Sequence, residues 1–193
     1  MNILLVDNYD SFTFNLQHYL RSFNTQVTVL RNNDAKLVAI DLKTYSGVVI
    51  SPGPGKPSQS GLLQQFIKQI AGKIPQLGVC LGHQAIGELA GAELVQADAP
   101  VHGKVTVIKH SGHKMFQGVP QQFKATRYHS LILKNLKPEL FPTAFATTGE
   151  LMAFAHNSLP VWGVQFHPEA VLSSFGHQII NNWLHLCRHK NSF

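Results

Sequence analysis

Cysteine is scarce in this chain of 193 residues, which has only Cys80 and Cys187. Two thiols cannot build a disulfide framework, so the fold must rest on an apolar core, and a reducing, cytoplasmic setting is expected. Long apolar runs are missing as well. No stretch approaches the roughly 20 residues of a membrane span. The opening Met1-Asn2-Ile3-Leu4-Leu5-Val6-Asp7 has no basic leader and meets an acid too early for a signal peptide. No repeat, low-complexity tract or linker interrupts the sequence, so one domain over residues 1–193 is expected. Acid is in short supply too: Asp and Glu total 10 against 16 Lys and Arg, a formal charge of +6. The cations are strewn evenly from Arg21 to Lys190. That makes a diffuse positive surface suited to an anionic partner, and no element reads as a nucleic-acid groove reader.

What remains is a globular composition, 44% hydrophobic and 13% charged. Ile3 to Val6, Val27 to Leu30, Gly47 to Ile50 and Leu77 to Val79 read as strands. Phe12 to Phe23, capped by Asp10 or Ser11, and Gly61 to Ile70 and His83 to Ala90 read as helices. Such β-α alternation predicts an α/β fold: a flavodoxin-like, open, mostly parallel sheet with helices on both faces. After Gly91 the character changes. Short runs at Val101 to Ile108, Phe123 to Tyr128, Ser130 to Leu133, Ala144 to Thr147 and Met152 to Ala155 predict a smaller β-rich portion. Val161 to Phe166 then returns as a core strand, and a last helix buries Ile180, Trp183, Leu184 and Cys187. Sites in open α/β sheets lie at the carboxyl ends of the strands. Asp7-Asn8, Ser51-Pro52-Gly53, Cys80 and His167 all follow predicted strands directly, so one crevice is expected to collect them.

Gly78-Val79-Cys80-Leu81-Gly82 places a thiol between glycines at a strand-to-helix junction, the setting of a nucleophile elbow. The helix N-terminus and a nearby imidazole favour the reactive thiolate there. His167-Pro168-Glu169 supplies an imidazole and a carboxylate two residues apart. Pro168 biases His167 toward extended backbone, where residues two apart share a face. Together Cys80, His167 and Glu169 compose a nucleophile, a base and an orienting acid. Cys187, on an apolar helix face, reads as a core thiol, and His129 is the rival base. In Ser51-Pro52-Gly53-Pro54-Gly55 only the glycines among residues 52–55 have N–H donors. One of these, with the N–H of Leu81, would form an oxyanion hole. His110 with His113, and the stretch His185 to His189, lack a zinc pattern and read as loop and helix-surface histidines, so no metal site is expected.

These motifs carry a resemblance over the chain from Met1 to the last helix. Gly78 to Gln84, the Ser-Pro-Gly-Pro-Gly loop and Gln165-Phe-His-Pro-Glu169 resemble the triad-type, class I glutamine amidotransferases. Asp7 to Thr13, His102-Gly-Lys104 and Arg127-Tyr-His-Ser-Leu131 resemble the small subunits of anthranilate synthase and aminodeoxychorismate synthase. The resemblance implies an amidase half-reaction on L-glutamine through a Cys80 thioester, with His167 moving protons and Glu169 holding it. It implies substrate contacts from Gly53, Pro54, Gly55, Leu81, Gln84, Ser130 and Leu131, and no cofactor in this subunit. Ammonia would pass to a separate chorismate-using synthase large subunit, with the contact at or near Tyr9 to Thr13 and His102 to Lys104. Ala170 and Ala90-Gly91-Ala92 depart from the usual pattern without touching these roles. Ile3 to Asp7 also resembles the start of a phosphoacceptor receiver domain. That module needs an aspartate where this chain has Ser51-Pro52. Glutaminase subunits serving GMP or carbamoyl phosphate synthesis, and a catalytically silent binding subunit, are the other readings. The Asn8 to Thr13 motif argues against the first two, and the complete triad against the last.

Overall fold

Strand β1 (Asn2–Asp7) is buried at every residue after its first, and its side chains divide between two cores. Ile3 and Leu5 join one apolar cluster and Leu4 and Val6 the other, as the two-residue period of a strand buried on both faces requires. The structure, a computed structural model, describes residues 1–188. Helices α1 (Thr13–Ser22) and α4 (Gly176–Arg188) supply Leu16, Leu20, Trp183 and Cys187 to the first cluster. Helices α2 (Leu63–Ile70) and α3 (Leu81–Leu89) supply Phe66, Ile70, Ala85 and Ile86 to the second. Helices therefore cover both faces. None is long and apolar enough, among the described residues, to cross a membrane.

The other strands are β2 (Gln26–Arg31), β3 (Gly47–Ile50), β4 (Gln76–Val79), β5 (Glu93–His110), β6 (Gln122–Lys134), β7 (Leu140–Ala146), β8 (Leu151–His156) and β9 (Val161–Val164). Among the described residues they form one nine-stranded sheet in the order β2-β1-β3-β4-β9-β8-β7-β5-β6. The pairs from β2 to β9 are parallel and those from β9 to β6 antiparallel. The α/β expectation holds, but "mostly parallel" is too strong, because the β-rich portion extends the same sheet instead of standing beside it. Its outer strand β6 curls back to meet the segment after β9, where Thr126 bridges His167.

Three local readings change. Val101 to Ile108 proves to be part of an 18-residue strand whose register shifts, between Gln96 and Val101 and between His102 and Lys104, absorb Pro100 and Gly103. The runs on either side of His129 are one strand, because His129 is buried and pairs with Val101. At the start of α1 neither Asp10 nor Ser11 is the cap: Phe12 holds that place. Asp10 accepts instead from the Phe12 N–H at 2.8 Å, in the turn that leads into the helix.

Candidate active site

The parallel strands β1, β3, β4 and β9 lie side by side, and the candidate residues sit at or just beyond their carboxyl ends. Asn8 ties two of these ends together: its N–H donates to the Ser51 hydroxyl at 2.9 Å and its amide to the Ser51 carbonyl at 2.8 Å. At the end of β4 the chain turns at once into α3. A Cβ on Gly78 would lie 2.5 Å from the Gly82 carbonyl, and one on Gly82 would lie 2.4 Å from the Ile50 carbonyl oxygen. Both glycines are thus needed for backbone to pack on backbone, and Cys80 between them is forced to φ 49°, ψ −101°. Such a conformation stores on the order of 1–3 kcal/mol in a residue with a Cβ. Cys80→Gly should therefore melt about 2–4 °C above Cys80→Ala by calorimetry, although neither has a nucleophile. Equal melting points would show that no strain is held here.

Cys80 is buried, and its N–H donates to the Val164 carbonyl of β9 at 2.8 Å. Beyond β9, Gln165 donates its amide to the Cys80 sulfur at 3.6 Å. His167 follows, held in extended form by its N–H on the Thr126 carbonyl at 3.0 Å. Its Nδ1 lies 2.8 Å from the Glu169 carboxylate, so the two-residue spacing brings acid and imidazole together as expected. Burial opposes charge on the ring, but the Cys80 sulfur and then the Glu169 carboxylate outweigh it and push the imidazole up to about 10. Nε2 has no hydrogen bond of ordinary geometry, and catalytic contacts of this kind commonly tighten only when substrate is held. Phe12 and Tyr128 close the ring in, with edge-on contacts at 5.3 and 5.0 Å between centroids.

A cavity of about 130 Å³ opens on the cysteine, lined by Gly53, Pro54, Gly55, Cys80, Gln84, Tyr128, His129, Ser130 and Leu131. Six of the seven residues expected to hold substrate line it. The seventh, Leu81, is buried beside Gly53. It offers its N–H, which at the first position of α3 has no acceptor within the helix. A larger hollow of about 480 Å³ over β6–β8 contains none of the three expected catalytic residues, so its size alone does not make it the site.

His129 is brought to the cavity but not as a base. Arg127 Nε donates to its Nε2 at 2.9 Å, and its Nδ1 faces the Leu131 carbonyl at 3.1 Å, so both ring nitrogens are engaged. Burial, then the Arg127 charge, push it down to about 4. His83 is a core residue against Phe154, likewise pushed down, to about 3, by burial. His110 corrects the surface-loop reading, because it is buried and stacked on Phe116 at 4.6 Å. His113 accepts from the Met115 N–H, and His185 is exposed on α4; His189 lies outside the described residues. Among the described residues no three His, Cys, Asp or Glu side chains converge as metal ligands would. Cys187 is buried on α4, as its helical spacing predicts, and neither cysteine is in a disulfide.

Sequence reading missed Gln165 as a partner of the sulfur, and Phe12 and Tyr128 as walls for His167. It also missed the pair of buried Arg127 and partly buried Glu150, 2.5 Å apart. One signal was available, since Arg127, His129 and Leu131 alternate along one strand and so share a face.

Residues 4–187 match the family model described as glutamine amidotransferase class-I. An aminodeoxychorismate/anthranilate synthase component 2 from Bacillus subtilis is 44% identical over 191 residues, covering 96% of this chain and 97% of that one. An anthranilate synthase component 2 from Mycobacterium tuberculosis is 45% identical over 192 residues, covering 97% of this chain and 83% of that one. Among solved structures, a putative GMP synthase subunit from Thermoplasma acidophilum superimposes with a TM-score of 0.89. It is 25% identical, and the match covers 99% of this chain and 96% of that one.

Proposed function

The chain belongs to the class-I glutamine amidotransferases, and from that premise we propose that it is the glutaminase subunit of a chorismate-aminating synthase. The observation that carries the reading is a sulfur that opens on a small cavity beside a helix N-terminus and lies close enough to a carboxylate-held imidazole to raise it. The Cys80 thiolate attacks the side-chain carboxamide carbon of L-glutamine. The C–N bond breaks as the His167 imidazolium gives its proton to the leaving ammonia. A thioester remains. Water attacks it, His167 takes the water's proton, and glutamate leaves with the sulfur restored as thiolate. The Leu81 N–H, with that of Gly53 or Gly55, stabilises the negative oxygen of each tetrahedral intermediate. No step needs a cofactor or metal in this subunit, and a reducing cytoplasm suits a mechanism built on a free thiol.

The partner reading rests on Tyr128. The Phe12 ring packs on it at 5.1 Å and the exposed His102 at 5.4 Å, and Tyr128 itself meets His167 and lines the cavity. Both segments expected near the synthase therefore lead to the catalytic imidazole. Tyr9, Phe14, Val171 and Leu172 lie on α1 and its leading loop or just after Glu169, and are 49%, 63%, 90% and 63% exposed. Exposed apolar side chains of this kind suit a protein partner. A synthase docked there presses on the Phe12–Tyr128–His167 stack and activates hydrolysis.

Glutamine hydrolysis measured alone and with a chorismate-using synthase subunit tests this. Hydrolysis should be slow alone and rise on complex formation, and Val171→Asp should weaken that response by about tenfold. A chain fully active alone and indifferent to such subunits would be a free-standing amidase. The 25% identity to a putative GMP synthase subunit, against 44–45% to chorismate-pathway relatives, makes the chorismate-using subunit the first to try.

A further inference from the structure

Arg127 lies in the middle of β6, 2% exposed, an unusual place for a cation. It is neutralised by Glu150, whose carboxyl is held below the usual range; burial opposes this, but bonds from Arg127 and Thr148 prevail. The guanidinium does one further thing. It has no lone pair and keeps its proton, so its Nε–H on His129 Nε2 compels that nitrogen to be the acceptor. The single ring proton is then on Nδ1, where it donates to the Leu131 carbonyl at 3.1 Å. Gln84 donates to the same carbonyl at 3.0 Å and to Gln165 at 3.1 Å. One carbonyl in the cavity wall is therefore gripped from β6 and from α3, next to the nucleophile.

We infer that His129 is a positioning residue for glutamine, locked by Arg127 and Glu150 in the one tautomer that fixes the Ser130–Leu131 wall. This rests on the glutaminase reading above. The ring takes no proton from substrate, so its loss should be felt in binding and not in chemistry.

The test is steady-state glutamine kinetics of the complex with the synthase subunit. His129→Leu keeps the bulk and loses both bonds. It should raise KM for glutamine by about tenfold, the scale of one or two lost hydrogen bonds, with kcat changed less than threefold. His129→Gln keeps an acceptor for Arg127 and a donor for the carbonyl, and should recover most of the wild-type KM. Glu150→Gln, a near-isosteric change at a partly exposed position, should shift KM the same way by about threefold even if the histidine variants fold poorly. A KM unmoved in the folded variants overturns the assignment, as does a fall in kcat at constant KM. Absence of glutamine turnover in the wild-type complex overturns the glutaminase reading itself, and this assignment with it.

Discussion

A complex carrying Cys80→Ala should lose glutamine-dependent amination by at least about 10⁴-fold while still aminating chorismate from ammonium salt at raised pH. The substitution removes the thiol at the cavity and, on the proposed reading, leaves untouched a synthase able to take up free ammonia. Alkaline conditions matter because ammonia and not ammonium is the species to be captured. A glutamine-mimicking electrophile should modify Cys80 in the wild type and leave Cys187 untouched. Both thiols are buried, at 5% and 2% exposure, so accessibility does not separate them. The difference is that Cys80 opens on the cavity and Cys187 packs where a Cβ on Gly47 would lie 2.6 Å from its sulfur. Peptide mapping by mass spectrometry reads the outcome. Labelling of Cys187 with Cys80 unmodified would sink the mechanism, and loss of the ammonia-dependent reaction in an intact complex would mean that Cys80 does more than release ammonia.

The second large effect is a hierarchy between base and orienter. His167→Ala should lower glutamine turnover by about 10⁵-fold or more, and Glu169→Ala by about 10²–10⁴-fold, because an imidazole in a poorer pose still transfers protons. The pH profile gives an independent reading. His167 is pushed up to about 10, so the imidazolium needed by the leaving ammonia persists through neutral pH and is lost as pH rises through that value. Removing the Glu169 carboxylate takes away one of the causes that raise it. The alkaline limb of Cys80 alkylation should then move to lower pH in Glu169→Ala. A Glu169→Ala protein as active as wild type, or with an unmoved limb, would remove Glu169 from the mechanism.

The parallel half of the fold was legible because its strands are buried on both faces. Ile3 to Val6, Gly47 to Ile50 and Leu77 to Val79 are apolar runs that only a helix-covered sheet can absorb. The candidate triad was legible for a related reason: Cys80 follows β4 directly, and His167 and Glu169 lie just past β9. The antiparallel half was harder. Pro100 and Gly103 look like breaks, yet bulges let β5 run through them, and buried His129 interrupts an apolar pattern without interrupting β6. Nothing local marks Glu150 as the partner of Arg127, because it lies 23 positions further along, beyond the whole of β7. Long-range pairing of that kind is set by how the sheet curls, and a one-dimensional pattern does not record curvature.

The adjacency of β4 and β9 also divides the chain into a reacting frame and an excursion. Val79 is paired with Val164, so the cysteine and the imidazole each emerge from one of two neighbouring strands roughly 4.8 Å apart. The sheet thus sets where the two segments leave the backbone lattice, and the bridge from Thr126 on β6 fixes where His167 comes to rest. Between those strands in sequence lies the whole excursion from β5 to β8, which carries Tyr128, His129, Ser130 and Leu131. The turns of that excursion can be lengthened, trimmed or resurfaced so long as the β4–β9 pairing and the Thr126 bridge keep sulfur and imidazole in register.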